Sequence, residues 1–207
     1  FSPRPVLGFD IQQRIARFPT GGTLTYSPLT NLTNRLTLGY DFSQQENRNL
    51  RPFGFRQRPK GALLNNTWQK RLLTFDYVSS YIVDVADALR TTFSWGGQAV
   101  GDEMRALEGW GEDYPGAAEP TVSSASLRIA EENRQRVWNA GFFFQNVLDI
   151  SNKYFVTTGV RVDGNSAFGE GFGLQVYPKA SLSWVISDED FFPESLGQVK
   201  LRTAYGQ

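Results

Sequence analysis

The sequence predicts an all-β chain, an antiparallel transmembrane β-barrel segment of about eight strands with short turns on one side and long loops on the other. Three observations predict it. Apolar and polar residues alternate strictly in run after run. The connections between runs alternate between short and long. Aromatic residues make up 14% of a chain whose mean hydropathy is −0.37, and several of them gather beside the short connections.

The runs follow in order. Gly21–Leu29 is the weakest. In Arg35–Phe42, Leu36, Leu38, Tyr40 and Phe42 fall opposite Thr37, Gly39 and Asp41. Leu73, Phe75, Tyr77, Ser79 and Tyr81 oppose Thr74, Asp76, Val78 and Ser80. Leu89, Thr91, Phe93 and Trp95 oppose Arg90, Thr92, Ser94 and Gly96. Trp138, Ala140, Phe142 and Phe144 oppose Asn139, Gly141, Phe143 and Gln145. Tyr154, Val156, Thr158, Val160 and Val162 oppose Phe155, Thr157, Gly159, Arg161 and Asp163. Leu182, Trp184 and Ile186 oppose Ser181, Ser183 and Val185, and Val199, Leu201, Thr203 and Tyr205 oppose Lys200, Arg202 and Ala204. A period of two places alternate side chains on opposite faces of a strand. Helical spacing fits none of these runs, and the best helical window, Ser126–Arg136, is charged and ambiguous.

The short connections are read as Thr30–Asn34, Val83–Asp87, Asp149–Lys153 and Ser187–Gly197, and the long ones as Asn47–Asn66, Gly101–Ser123 and Gly164–Gly173. Several strands look long enough to cross the hydrocarbon layer, which takes about 9–11 tilted residues. Tyr81, Tyr154, Trp184, Phe191 and Phe192 lie near the short connections, as an interfacial girdle would. Alternation alone leaves two further architectures open, a small self-contained eight-stranded barrel with a structural or adhesive role and a soluble β-sandwich that binds carbohydrate.

Composition narrows the function. The chain has no Cys and no His, which removes disulfides, thiolate chemistry, the usual general base and most zinc sites. The expectation is a binding or transport protein, not an enzyme, with no cofactor and no metal. Lys plus Arg equals Asp plus Glu at 21 each, so nothing points to nucleic acid. Phe1-Ser2-Pro3-Arg4-Pro5 carries no signal pattern, and residues 1–207 are read as part of a barrel domain.

Two stretches carry ligand-contact candidates. Asn47–Leu64 holds Arg48, Arg51, Arg56, Arg58 and Lys60 without an acid; Arg forks suit phosphate or carboxylate, although a solvated loop is the commoner outcome. Phe53 and Phe55 in the same stretch would pack on a neighbouring loop. Asp102–Glu119 holds six acids against Arg105 alone, with Trp110 and Tyr114 among them. Aromatic faces beside carboxylates can hold sugars; calcium is disfavoured because the spacing fits no EF-hand, and pairing with the basic stretch is the plainer reading. Gly169–Gly173 is read as a flexible loop tip, and Ser187-Asp188-Glu189-Asp190 as a solvated rim turn. The polar faces carry Asp41, Asp76, Arg90, Arg161, Asp163, Lys179, Lys200 and Arg202, a mixture of signs that suits a hydrated lumen.

Asn152–Gln207 resembles the barrel of SusC/RagA-type TonB-dependent outer-membrane receptors. The matching residues are the Lys153-Tyr154 strand start, the Arg161–Phe168 turn, the Tyr177–Ser187 strand and the Lys200–Gly206 strand, in the family order. Asn165-Ser166-Ala167 and Pro178-Lys179-Ala180 depart from the family pattern. Leu72–Tyr81 and Asn34–Phe42 are similar to it more loosely. The resemblance implies a wall section of a barrel of about 22 strands with a plug, set in the bacterial outer membrane and in contact with its lipid. It further implies import of large nutrients such as oligosaccharides or peptides. The partners implied are the TonB complex, engaged through a segment outside these residues, and a SusD-like surface lipoprotein.

Overall fold

The computed structural model describes residues 8–168 and 173–207. Eight strands form one sheet in chain order: β1 (Asp10–Leu29), β2 (Leu32–Arg51), β3 (Ala62–Ala86), β4 (Leu89–Glu112), β5 (Leu127–Ile150), β6 (Tyr154–Asn165), β7 (Gln175–Val185) and β8 (Lys200–Gly206). Each of the eight alternating runs falls on one of them, with Ile186 and Val199 just outside β7 and β8. A single sheet in sequence order is not a sandwich, which requires two sheets packed face to face.

The strands are longer than the alternation suggests. β3 has 25 residues and β4 and β5 have 24 each, more than twice the crossing requirement of about 9–11. Asp102–Glu112, expected as loop, is the second half of β4, and the ambiguous Ser126–Arg136 window is the start of β5. Backbone pairing holds such a strand without apolar alternation. The connections shrink to residues 30–31, 52–61, 87–88, 113–126, 151–153 and 166–174. One expectation is corrected: the last link runs through residues 186–199, as long as 113–126, and carries 3-10 turns at Ile186–Asp188 and Glu194–Leu196. Residues 1–7 and the glycine-rich stretch at 169–172 lie outside the described residues.

The chain divides into two compact units. The first comprises Phe1–Thr20, Tyr40–Leu72 and Gly101–Arg136. It has a small core of Leu50, Leu63, Tyr114 and Ala125 flanked by Val122. The 52–61 and 113–126 connections knit together there. The Tyr114 amide donates to the Lys60 carbonyl at 2.9 Å and the Asp113 amide to the Gly61 carbonyl at 3.3 Å. Gly61 has φ +78°, and a Cβ there would lie 2.9 Å from the Arg51 carbonyl oxygen, so this turn requires glycine.

The second unit comprises Gly21–Gly39, Leu73–Val100 and Val137–Gln207. Among the described residues it has almost no buried apolar core; its large side chains stand out from the sheet, with Phe142 71% and Tyr205 69% exposed. An aqueous domain of this size buries such side chains. The pattern fits a sheet whose apolar face meets lipid.

Candidate functional site

The pairing of β5 to β8 fixes which side chains share a face. Phe143 pairs with Arg161 and Gly141 with Asp163 across β5–β6. Arg161 pairs with Tyr177, Gly159 with Lys179 and Asp163 with Gln175 across β6–β7. Ser183 pairs with Arg202 and Val185 with Lys200 across β7–β8. Directly paired residues project to one side, so Arg161, Asp163, Lys179, Lys200 and Arg202 stand on a single polar face. Phe142–Val162, Phe144–Val160, Val156–Leu182 and Trp184–Leu201 pair on the other. A slip of one residue in any strand would mix the faces; none occurs.

Polar groups on the apolar face satisfy one another. Asn34 Oδ1 accepts from Tyr77 and from the fully buried Ser79, both at 2.9 Å. Asn146 Nδ2 donates to Thr91 Oγ1 at 2.7 Å. Without such partners each group would be costly beside hydrocarbon.

The polar face holds a concavity of about 400 Å³ where β4, β5, β6 and β7 run side by side, near the strand ends that lead into the 166–174 connection. Arg161 Nε donates to both carboxylate oxygens of Asp163, at 2.8 and 2.7 Å, and Arg161 Nη2 reaches Gln98 Oε1 at 3.4 Å. The residue pair sits two apart on one strand, so period two puts both on one side. Gly141 makes the space: a Cβ there would fall 1.8 Å from Asp163 Oδ1 and 2.7 Å from Arg161 Nη2. Asn139, Asn165, Gln175 and Tyr177 complete the lining. A neutralised ion pair, several carboxamides and a phenol form a surface rich in paired donors and acceptors without net charge. Alternation placed Arg161 and Asp163; it gave no hint of the concavity, whose signal is the glycine opposite the acid.

The remaining candidates scatter. Arg90 Nε pairs with Asp84 at 2.6 Å beside the 87–88 turn. Lys200 Nζ lies 4.6 Å from the Phe155 ring centroid. Asp76 is on β3. In the first unit Arg17 pairs with Asp41. Arg56 and Arg58 lie in the 52–61 connection, and Arg58 Nη1 pairs with Glu112 at 2.9 Å. Arg48 approaches Glu119 at 3.8 Å, so basic and acidic stretches do pair. Phe55 is buried against Phe9 at 5.1 Å between centroids, whereas Phe53 is exposed.

Trp110 and Tyr114 were expected together in a loop. Trp110 is instead on β4, where Arg51 sits 5.7 Å from its ring. Tyr114 is 4% exposed in the small core, with no hydrogen-bond partner for its hydroxyl among the described residues. Burial pushes that phenol's pKa up. A buried Tyr114 offers no face to a ligand. Among the described residues no cluster of acids could hold a metal ion.

A polar knot in the 186–199 link was not foreseen. Tyr154 Oη, Trp184 Nε1 and Lys153 Nζ donate to Glu189 at 2.6, 3.0 and 3.2 Å. The Tyr154 and Trp184 hydrogen bonds hold the Glu189 carboxyl below its ordinary value of 4.5, and Lys153 adds to the effect. The Tyr154 and Trp184 rings stack at 6.0 Å, with Phe191 edge-on to Trp184 at 6.4 Å. Aromatic bodies with tethered polar heads suit a membrane–water boundary.

This geometry agrees with the comparisons. The chain is 16% identical to a chain of the structure of the RagAB peptide transporter, with a TM-score of 0.91 over 99% of this chain and 24% of that one. Against the RagAB peptide importer in its open-open state the TM-score is 0.89, again at 16% identity, over 99% and 23%. At that identity the likeness is one of fold. TonB-dependent receptor P39 of Formosa agariphila is 42% identical over 60 residues, 28% of this chain and 6% of that protein. The chain thus spans about a quarter of the solved chains and a small part of the curated relative. The profile of the family described as TonB dependent receptor-like, beta-barrel matches residues 2–207, and the chain belongs to that family of bacterial outer-membrane proteins.

Proposed function

We propose that this chain forms part of the wall of an outer-membrane importer that is energised through TonB and takes up large nutrients such as oligosaccharides or peptides. One observation carries the reading: β5 to β8 keep an exposed apolar face and a charged polar face in phase across four strands. A lipid-facing side and a hydrated lumen require that division. In this reading Asp76, Arg90, Arg161, Asp163, Lys200 and Arg202 face the lumen, where plug and cargo pass. Partnership with the TonB complex and a SusD-like surface lipoprotein rests on the family and on the fold shared with the RagAB transporter.

The test is uptake in cells expressing the whole receptor. Growth on its nutrient as sole carbon or nitrogen source should stop when TonB is deleted and return when TonB is restored. Growth through this receptor that is indifferent to TonB would contradict the reading.

A further inference from the structure

We propose that the concavity around Arg161 and Asp163 is a subsite for an uncharged saccharide unit on the upper lumen wall; the proposal rests on the importer reading. Its size, about 400 Å³, falls within the range of about 300–1,000 Å³ usual for small-molecule sites.

Its charge decides against ionic cargo. Asp163 neutralises Arg161 through Nε and Gln98 holds Nη2, so the pair presents no net charge to an acidic or a basic ligand. The carboxamides decide for hydroxyls. Gln98 Oε1 is held by Arg161, and Asn165 Oδ1 by the Ala167 amide. In both, the amide NH2 is left to act as donor. Gln175 Nε2 is drawn to the Gly173 carbonyl, which leaves its oxygen as an acceptor. Vicinal hydroxyls donate and accept side by side and match such a mixed set. The 41% exposed Tyr177 supplies an aromatic surface for the apolar face of a pyranose.

Peptide recognition fits less well. An extended peptide is held chiefly by main-chain hydrogen bonds to a free strand edge. Here β5, β6 and β7 are paired with one another along the concavity, so their backbones are already engaged. The position also suits first contact with cargo. β6 ends at Asn165 beside the 166–174 connection, and the longer loops of such barrels are extracellular.

The experiment uses the whole receptor, purified in detergent, fluorescently labelled and applied to an array of neutral oligosaccharides, acidic oligosaccharides and short peptides. Tyr177→Ala removes the stacking surface, and Gly141→Leu fills the space. Resistance of the unboiled barrel to SDS confirms that each variant is folded. Neutral oligosaccharides should be retained by the native receptor. Tyr177→Ala should weaken that binding by about tenfold or more, the loss usual for a truncated aromatic anchor. Retention of charged glycans or peptides only, retention of nothing, or unchanged saccharide binding in both folded variants would each overturn the subsite. If Gly141→Leu does not fold, Tyr177→Ala alone decides. TonB-dependent growth that persists beside any of these negatives would keep the importer reading and remove only this site.

Discussion

The first unit is held by a core, the second by a register. In the first, Leu50, Leu63, Tyr114 and Ala125 come from separate segments and shield one another from water. In the second, large apolar side chains remain exposed, and order comes from paired backbones and a strict two-sided pattern. The first kind of stability is the hydrophobic effect within the protein. The second depends on a solvent that is itself apolar on one side. Substitutions should therefore behave differently in the two regions.

The largest expected effect is in the second unit. Val160 lies mid-strand on the apolar face of β6. Val160→Arg should cost about 2–4 kcal/mol if it sits near the midplane, read as reduced folding into bilayers of the whole receptor. Arg161→Val, one residue along and on the other face, should leave insertion nearly intact. Equal effects would erase the distinction between the faces.

Leu63→Ala in the small core should cost about 2 kcal/mol or more, but locally. It should open the 52–61 and 113–126 connections to protease while the strands of the second unit stay protected. Tyr114→Phe sharpens the same region in the opposite direction. Its buried hydroxyl has no partner among the described residues, so its removal should be neutral or stabilising by up to about 1 kcal/mol.

The Glu189 knot gives a pH signature. Its folded-state pKa is depressed, so its contribution is present above the ordinary value of 4.5 and is lost as pH falls through the lower folded value. Acidification below 4.5 should loosen the 186–199 link, seen as a change in Trp184 fluorescence, and Glu189→Gln should flatten that response. The smallest effect is expected from Arg58→Ala. Its pair with Glu112 is exposed on the arginine side, so the loss should be below about 1 kcal/mol and vanish in high salt.

The same contrast explains what the sequence disclosed. Period two is a local signal, and it located every strand of the wall and the shared face of Arg161, Asp163, Lys200 and Arg202. It failed where charged residues interrupt the alternation: Asp102–Glu112 and Leu127–Arg136 are strand, yet carry no period of two. It also placed Trp110, a β4 residue, in a loop, and gave no sign that Tyr114, which is in a loop, is buried. Tyr114 is buried by Leu50 and Leu63, partners that no short window contains. The Gly141–Asp163 concavity was hidden for the same reason, since cross-strand register must be known before a glycine and an acid can be seen to face each other.

If the strands line a barrel wall, β6 has one face in lipid and one in water. These 207 residues contain no cysteine, so, with any cysteine elsewhere in the receptor replaced, single cysteines can be placed at each position from Phe155 to Asp163 in the whole receptor, spin-labelled and reconstituted in bilayers. Accessibility to oxygen, which partitions into lipid, should peak at 156, 158, 160 and 162. Accessibility to a water-soluble nickel chelate should peak at the positions between. Loss of the two-residue period, or its inversion, would contradict the assignment of Val160 to lipid and of Arg161 and Asp163 to the lumen.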